Sequence, residues 1–197
     1  DLSDETLRDV GGRVSLRIYE SLKPVIGAIN GPAVGIGATM LLPMDVRIAS
    51  ETARFGFVFA RRGIVPEACS TWFLPRIVGM SRALELVYRA DILTAEQAHE
   101  VGLVRDVVAE DELLPAAYAL ARSFVDGHSP VATAMMRQMM YRNSAAPDPV
   151  QAHRIESLAM FYASIGEGTE GVAAFREKRP AEFTGRVPDD LPPFYPW

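Results

Sequence analysis

The chain has 197 residues, a formal net charge of −5, 49% hydrophobic and 23% charged residues, which suits one globular domain with or without a helical appendage. Its negative charge offers no footprint for nucleic acid, and the single cysteine, Cys69, excludes a disulfide framework within one chain. His99, His128 and His153 lack the spacing of a zinc helix, so we expect no metal. The longest apolar run is too short to span a membrane, so we expect a cytoplasmic protein of a reducing compartment, from a bacterium.

The first sixty residues alternate helical and strand patterns. Apolar residues at helical spacing predict a helix over residues 3–22, although Gly11-Gly12 interrupts the pattern. A continuous apolar run predicts a buried strand at residues 24–30. A glycine-rich turn then leads into a predicted helix over residues 33–42. Two further strands are expected, at residues 45–50 and 54–59, and the alternation indicates α/β layering.

Helical patterns dominate the rest of the chain. Three helices and one strand come first, and they are predicted at residues 67–78, 81–89, 95–101 and 103–108. Thr94 and Gln97 form the capping box that opens the third of these helices. From residue 112 to about 178 nearly everything reads as helix, with breaks at three places, namely 127–130, 147–149 and near 166. The Pro-rich tail is expected to be extended. We therefore predict an α/β core over residues 1–111 and a helical region over residues 112–197.

Glu67 is a single carboxylate in a mostly apolar segment, "GIVPEACSTWFLP". One interpretation is structural, because Pro66 and Glu67 together are typical of a helix start, where an acid meets the positive end of the helix dipole. The other is a catalytic role. Cys69 follows beside aromatic residues and has no histidine partner nearby in sequence, so we interpret it as a small core residue.

The turn "NGPAVGIGATM" (30–40) lacks the glycine spacing of a dinucleotide-binding fingerprint and the lysine of a P-loop. Two interpretations remain open. The glycines allow a helix to pack closely on a sheet, or the free N–H groups of the turn are aimed at an oxyanion.

Five segments together resemble the crotonase superfamily, the enoyl-CoA hydratase/isomerase family, in its order and spacing. They are "KPVIGAINGPAVGIG", "MDVRIAS", "RFGFVFARRGIVPEACSTWFLPRIVG", "ADILTAEQAHEVGLVRDVV" and "EGVAAFREKRPAEF". The resemblance covers essentially the whole chain. It implies an α/β fold of the crotonase type, which is a spiral of β-β-α units followed by a helical trimerisation region, and a homo-trimer or hexamer. It also places the start of this sequence inside the family domain, with "DL" (1–2) matching a segment whose preceding residue carries the first oxyanion-hole amide.

The resemblance implies a shared chemistry on acyl-CoA thioesters, with coenzyme A as part of the substrate and no other cofactor. Two backbone N–H groups hold the thioester oxygen while a base removes an α-proton. The second of these donors matches the N–H of Ile36, which follows Gly35. Loss of such a donor typically costs about 10²–10³ in rate.

The position of the acid separates the subfamilies. Hydratases of the family use two glutamates, and their positions match Thr39 and Phe59, neither of which is an acid. Single-glutamate Δ3,Δ2-enoyl-CoA isomerases carry their base where this sequence has Glu67. We therefore expect an isomerase. A hydratase of fatty acid β-oxidation in which Glu67 activates water is the runner-up, and a non-catalytic acyl-CoA-binding subunit is the alternative from another class.

The remaining expected site residues surround the substrate. Aromatic side chains near Glu67 are expected to supply the apolar surround that raises the basicity of a carboxylate, namely Phe55, Phe57, Phe59, Trp72 and Phe73. By resemblance, Phe175 and Lys178 contact the CoA nucleotide from a neighbouring subunit. Lys178 is one of two lysines in the chain. The predicted substrate-binding residues are Gly35, Thr39, Phe59, Pro66, Trp72, Phe175 and Lys178.

Overall fold

The computed structural model describes residues 8–197, which fall into two compact units. The first unit contains residues 8–20 and 25–119, and the second contains residues 21–24 and 120–197. The domain boundary was predicted after residue 111, and the chain passes from the first unit to the second after residue 119. The match of residues 1–2 to the family segment lies outside the described residues.

The first helix, α1 (Val10–Tyr19), lies within the predicted range 3–22, whose first residues are outside the described part of the chain. Asp9 caps it, because its Oδ2 accepts the N–H of Gly12 at 2.5 Å. α1 buries its small residues Gly12 and Ser15, while its valines remain exposed. A helix that buries glycine and serine can approach its neighbours closely, which brings α1 onto the candidate site.

The strands of the first unit form two three-stranded sheets. They are β1 (Ile26–Ile29), β2 (Pro32–Val34), β3 (Val46–Ser50), β4 (Arg54–Gly56), β5 (Ile92–Thr94) and β6 (Asp106–Val108). One sheet is parallel throughout, in the order β1-β3-β6. In the other, β2 pairs parallel with β4, which pairs antiparallel with β5. The chain therefore alternates between the two sheets from β1 to β4, and β5 then pairs with β4 in the second sheet.

The segment predicted as one helix over 33–42 is a strand followed by a short helix. Its first residues belong to β2, and the helix, α2, spans only Ile36–Thr39. Gly35 makes this change of direction, because its φ of 58° lies in the left-handed region that side chains disfavour. The N–H of Gly35 donates to the carbonyl of Gly56 at 2.9 Å, which ties the turn to β4.

Three helices follow β4 in the first unit, namely α3 (Ser70–Val78), α4 (Met80–Arg89) and α5 (Ala95–Glu100). The prediction that Pro66 and Glu67 open a helix is wrong, because the helix begins three residues after Glu67. The two intervening residues, Ala68 and Cys69, have φ values of 56° and 59°, which no right-handed helix contains. The predicted capping box of α5 is confirmed by both of its hydrogen bonds.

Helices account for most of the chain after residue 112. They are α6 (Leu113–Val125), α7 (Pro130–Asn143), α8 (Pro149–Ile165) and α9 (Gly168–Glu177), and the breaks between them lie where the sequence predicts. Ser129 and Asp148 cap α7 and α8 through their side-chain oxygens. Within residues 8–197 the structure contains no helix with both the length and the apolar character to cross a bilayer.

The tail after α9 has no regular structure over residues 180–186 and forms turns at residues 187–190 and 193–194, so the prediction of an extended tail is wrong for those turns. Two carboxylates of the α9 region hold it by hydrogen bonds to its backbone N–H groups. Glu167 accepts the N–H of Gly185 at 2.7 Å, and Glu170 accepts the N–H of Glu182 at 2.8 Å. Arg179 adds a two-pronged bond to Glu170, at 2.6 and 2.8 Å. This guanidinium, together with the bond from Glu182, lowers the pKa of Glu170 to about 2.

Candidate active site

Glu67 lies in the turn that precedes α3, and its carboxylate reaches back to α2. Its Oε1 accepts a hydrogen bond from the hydroxyl of Thr39 at 2.6 Å. Thr39 has no exposed surface, so the hydroxyl is held in one place by packing. A hydroxyl can donate to a carboxylate and can equally accept from a carboxylic acid. Thr39 can therefore stay bonded to Glu67 in both of its protonation states.

Ile36 begins α2, so its N–H has no acceptor within that helix. The helix closes instead on the carbonyl of Gly35, which accepts from Ala38 and Thr39 at 2.9 and 3.0 Å. The side chain of Ile36 is 48% exposed. A free N–H at the start of a helical turn is a suitable donor for an oxyanion.

Gly11 of α1 brings Glu67 and Ile36 together. A Cβ built on Gly11 lies 2.1 Å from Oε2 of Glu67, 2.4 Å from Cδ1 of Ile36 and 3.1 Å from the Cβ of Ala68. The backbone of α1 therefore covers the carboxylate and the side chain of Ile36 at once. Because Thr39 is on the same turn as Ile36, the predicted base and the predicted donor converge on one small region of the first unit.

Asp9 is a second carboxylate at this turn. Besides capping α1, its Oδ2 accepts the N–H of Ala68 at 3.0 Å. Burial, then the negative charge of Asp9 and then that of Glu67 raise the pKa of the Cys69 thiol. The thiol therefore stays protonated at neutral pH, and Cys69 is half-buried at the start of α3 rather than part of the core.

The aromatic residues expected around Glu67 divide into two groups. Phe55, Phe57 and Phe59 are buried, with at most 5% of each exposed. Trp72 and Phe73 pack edge-on against Tyr19 of α1, with ring centroids 6.0 and 6.1 Å from the Tyr19 ring. This packing sets α1 against α3.

The role of these five rings in tuning Glu67 remains a prediction, as does that of the half-buried Pro66.

Phe175 and Lys178 lie in the second unit, near the end of α9. Phe175 is 85% exposed, which is a large apolar surface for one side chain. Lys178 is exposed and ends the helix with a φ of 55°. Their predicted contact with the CoA nucleotide remains a prediction.

Asp9 and Gly11 were not predicted from the sequence as site residues. A signal was present, because Gly11-Gly12 interrupts a helical pattern without ending the helix. Glycine costs up to about 1 kcal/mol relative to alanine at such a position, so two in succession indicate a close approach. What approaches there is determined by tertiary structure and cannot be found from spacing.

Residues 4–186 match a family model described as enoyl-CoA hydratase/isomerase. An enoyl-CoA hydratase of Alternaria alternata is 43% identical over 182 residues, which is 91% of this chain and 60% of that protein. A 1,2-epoxyphenylacetyl-CoA isomerase of Escherichia coli is 36% identical over 172 residues, or 86% of this chain and 64% of that protein. The chain thus spans about 60% of the length of the first of these curated relatives.

Solved structures show the same likeness in three dimensions. The crystal structure of an enoyl-CoA hydratase from Bacillus anthracis superposes with a TM-score of 0.82 at 31% identity, and the match covers 93% of this chain and 72% of that one. The predicted crotonase-like α/β fold is confirmed by this likeness.

Proposed function

This chain belongs to the enoyl-CoA hydratase/isomerase family, and we propose that it processes acyl-CoA thioesters by shifting a 3-enoyl-CoA double bond to the 2-position. Glu67 is the base and the N–H of Ile36 holds the thioester oxygen. The observation that carries this proposal is the convergence of Glu67, Thr39 and Ile36 beneath α1.

The proposed reaction needs one base that both takes and returns a proton. Glu67 removes a proton from C2, the electrons delocalise over the C3–C4 double bond and the thioester, and the negative charge develops on the carbonyl oxygen. The N–H of Ile36 stabilises that oxyanion. Protonated Glu67 then delivers the proton to C4, which leaves the double bond between C2 and C3. Thr39 supports both states of the carboxyl group, because its hydroxyl can donate or accept.

Two residues favour isomerisation over hydration, because they stand at the positions where hydratases of the family carry their acids. Thr39 and Phe59 stand there, and neither side chain can exchange a proton with substrate near neutral pH. Asp9 is a carboxylate nearby, but its Oδ2 already accepts two backbone N–H groups. Hydration would therefore depend on Glu67 alone to activate the water and to protonate C2.

Hydration of 2-enoyl-CoA is the second candidate. The name of the Alternaria alternata relative favours it, because that protein is called an enoyl-CoA hydratase. The relative from Escherichia coli carries an isomerase name. Both reactions use the same oxyanion donor and the same carboxylate, so they differ in whether water reaches C3.

One spectroscopic assay separates these candidates. The protein is offered a 3-enoyl-CoA and, separately, a 2-enoyl-CoA, and the absorbance of the conjugated thioester is followed. Growth of this absorbance from the 3-enoyl substrate supports isomerisation, and its loss from the 2-enoyl substrate supports hydration. If neither changes while CoA esters still bind, the protein is an acyl-CoA-binding subunit and the enzymatic proposal is wrong.

The Glu67→Gln variant tests the role of the base. Glutamine keeps the shape of the side chain and can still accept from Thr39, but it cannot take up a proton. We expect kcat to fall by about 10²–10⁴, the usual contribution of a positioned base. Full activity in this variant would remove Glu67 from the mechanism.

We also propose that the protein assembles as a homo-trimer or hexamer through its helical region. Four large apolar side chains of this region are at least 65% exposed, namely Met140, Met160, Phe161 and Phe175. Clusters of exposed apolar residues are typical of surfaces that bind another protein. Sedimentation analysis that finds only monomers at assay concentrations would contradict this proposal.

A further inference from the structure

Asp9 joins two segments that are far apart in the chain. Its Oδ2 accepts the N–H of Gly12 within α1 at 2.5 Å and the N–H of Ala68 at 3.0 Å, across 59 residues of sequence. An N-cap needs only the first of these bonds. The second falls on the residue that directly follows Glu67.

The turn that Asp9 holds is an unusual one. Ala68 and Cys69 are both in the left-handed region, with φ values of 56° and 59°, and neither is glycine. Such residues persist only where their surroundings hold them, and they cluster at functional sites. Several contacts hold this turn, among them the bond from the N–H of Ala68 to Asp9, a bond from the N–H of Ser70 to the carbonyl of Glu67 at 3.0 Å, and the packing of Gly11 against Ala68.

We propose that Asp9 is a positioning residue for Glu67 in the reaction proposed above. By fixing the N–H of Ala68, it sets the direction in which the Glu67 side chain leaves the backbone. Thr39 then fixes Oε1 by its hydrogen bond of 2.6 Å. Among residues 8–197 the structure gives Oε2 no hydrogen-bond donor, so this is the oxygen available to carry the proton.

Two variants and a matched control test this role. Asp9→Ala removes both hydrogen bonds, while Asp9→Asn keeps an oxygen that can cap α1 and accept from Ala68. Asp148→Ala is the control, because Asp148 caps α8 through the N–H groups of Val150 and Gln151 at 2.9 and 3.1 Å. It removes an aspartate cap of the same kind without touching the Glu67 turn.

We expect kcat of Asp9→Ala to fall by about 10- to 100-fold with KM within about threefold of its original value, because misplacement of a base by roughly 1 Å costs rate rather than binding. Asp9→Asn should keep most of the activity, and Asp148→Ala should keep kcat. If Asp9→Ala matches Asp148→Ala in kcat, Asp9 is only a cap and the proposal is wrong.

The thiol of Cys69 provides a second readout that needs no substrate. It is the chain's one cysteine, so its rate of alkylation as a function of pH reports on this turn alone. Because Asp9 helps to raise the pKa of Cys69, the alkylation midpoint should move to lower pH in both Asp9 variants and stay in place in Asp148→Ala. An unchanged midpoint in Asp9→Ala would contradict the proposed contact. If Glu67→Gln is fully active, the proposed function fails, whereas the thiol result still decides whether the Asp9 carboxylate lies beside this turn.

Discussion

Replacing Gly11 by alanine is the most direct steric test of the site. The added Cβ would lie 2.1 Å from Oε2 of Glu67, so the carboxylate must retreat by about 0.9 Å to reach even the 3.0 Å limit below which such contacts are essentially never seen. The Thr39 to Glu67 bond of 2.6 Å would then lengthen toward 3.5 Å if the retreat is directed away from Thr39, at the edge of what counts as a hydrogen bond. Cδ1 of Ile36, at 2.4 Å, must move as well.

We expect kcat of Gly11→Ala to fall about 10²-fold, since a 1 Å misplacement of a catalytic group costs about that much. A lost hydrogen bond to a charged group, about 1.5–3 kcal/mol, corresponds to the same range. Stability should change much less. Alanine gains up to about 1 kcal/mol in a helix, and overpacking costs about 1–3 kcal/mol, so we expect a net loss of no more than about 2 kcal/mol.

Initial rates from the absorbance of the conjugated thioester measure the loss, and thermal melting by circular dichroism measures stability. Gly171→Ala in α9 is the matched control, because its Cβ would lie 3.7 Å from Phe183 at ordinary contact distance. Combining Gly11→Ala with Ile36→Val removes one of the two clashes and shows which of them matters. If Gly11→Ala keeps kcat within twofold while remaining folded, the approach of α1 does not constrain the base and our interpretation of the site is wrong.

Two further predictions concern Thr39 and the tail. Thr39→Val keeps the shape of the side chain and removes the bond to Glu67, so we expect kcat to fall about tenfold or more. Thr39→Ser keeps the hydroxyl, so its kcat should fall less. Equal rates in the two variants would contradict the role of the hydroxyl. Because Arg179 lowers the pKa of Glu170 from 4.5 to about 2, the stability gained from this pair is complete above pH 4.5 and is lost as the pH falls toward 2. The melting temperature of Arg179→Gln should therefore depend less steeply on pH in that window than that of the unchanged protein, and parallel curves would contradict the assignment.

Much of the fold was predictable because local patterns agree with it. The strand at Ile26–Ile29 is a continuous apolar run, and Thr94 with Gln97 supplies both halves of a capping box. The breaks between the C-terminal helices contain proline and glycine residues, which are local signals for the end of a helix. Each of these signals is contained within a few consecutive residues, so no tertiary information was needed.

The errors occurred where tertiary contacts override local preference. Pro66 and Glu67 form a good local helix start, yet the bond from the N–H of Ala68 to Asp9 holds the next residues in a left-handed turn. The "AVGIGATMLL" segment contains good helix residues, but its beginning pairs with β4 and becomes a strand. The tail contains prolines that suggest extension, but the N–H groups of Glu182 and Gly185 donate to Glu170 and Glu167, so tertiary contacts hold its first part in place.

The candidate site was predictable in part for the same reason. Glu67 and Ile36 were identified from resemblance, and the bond that joins Glu67 to Thr39 spans 28 residues that no spacing rule connects. The bond between Asp9 and Ala68 spans 59 residues, and from the sequence Asp9 was only one polar residue within the helix predicted over residues 3–22.

The brevity of α2 has a consequence for how this site responds to motion. The four residues of this single turn carry both the N–H of Ile36 and the hydroxyl of Thr39, so the two groups move together as one rigid body. When the turn tilts, the N–H of Ile36 and the hydroxyl of Thr39 move together, and the distance between them is preserved. The half-exposed side chain of Ile36 extends from the same turn, so a substitution there leaves the spacing between the N–H of residue 36 and the hydroxyl of Thr39 in place.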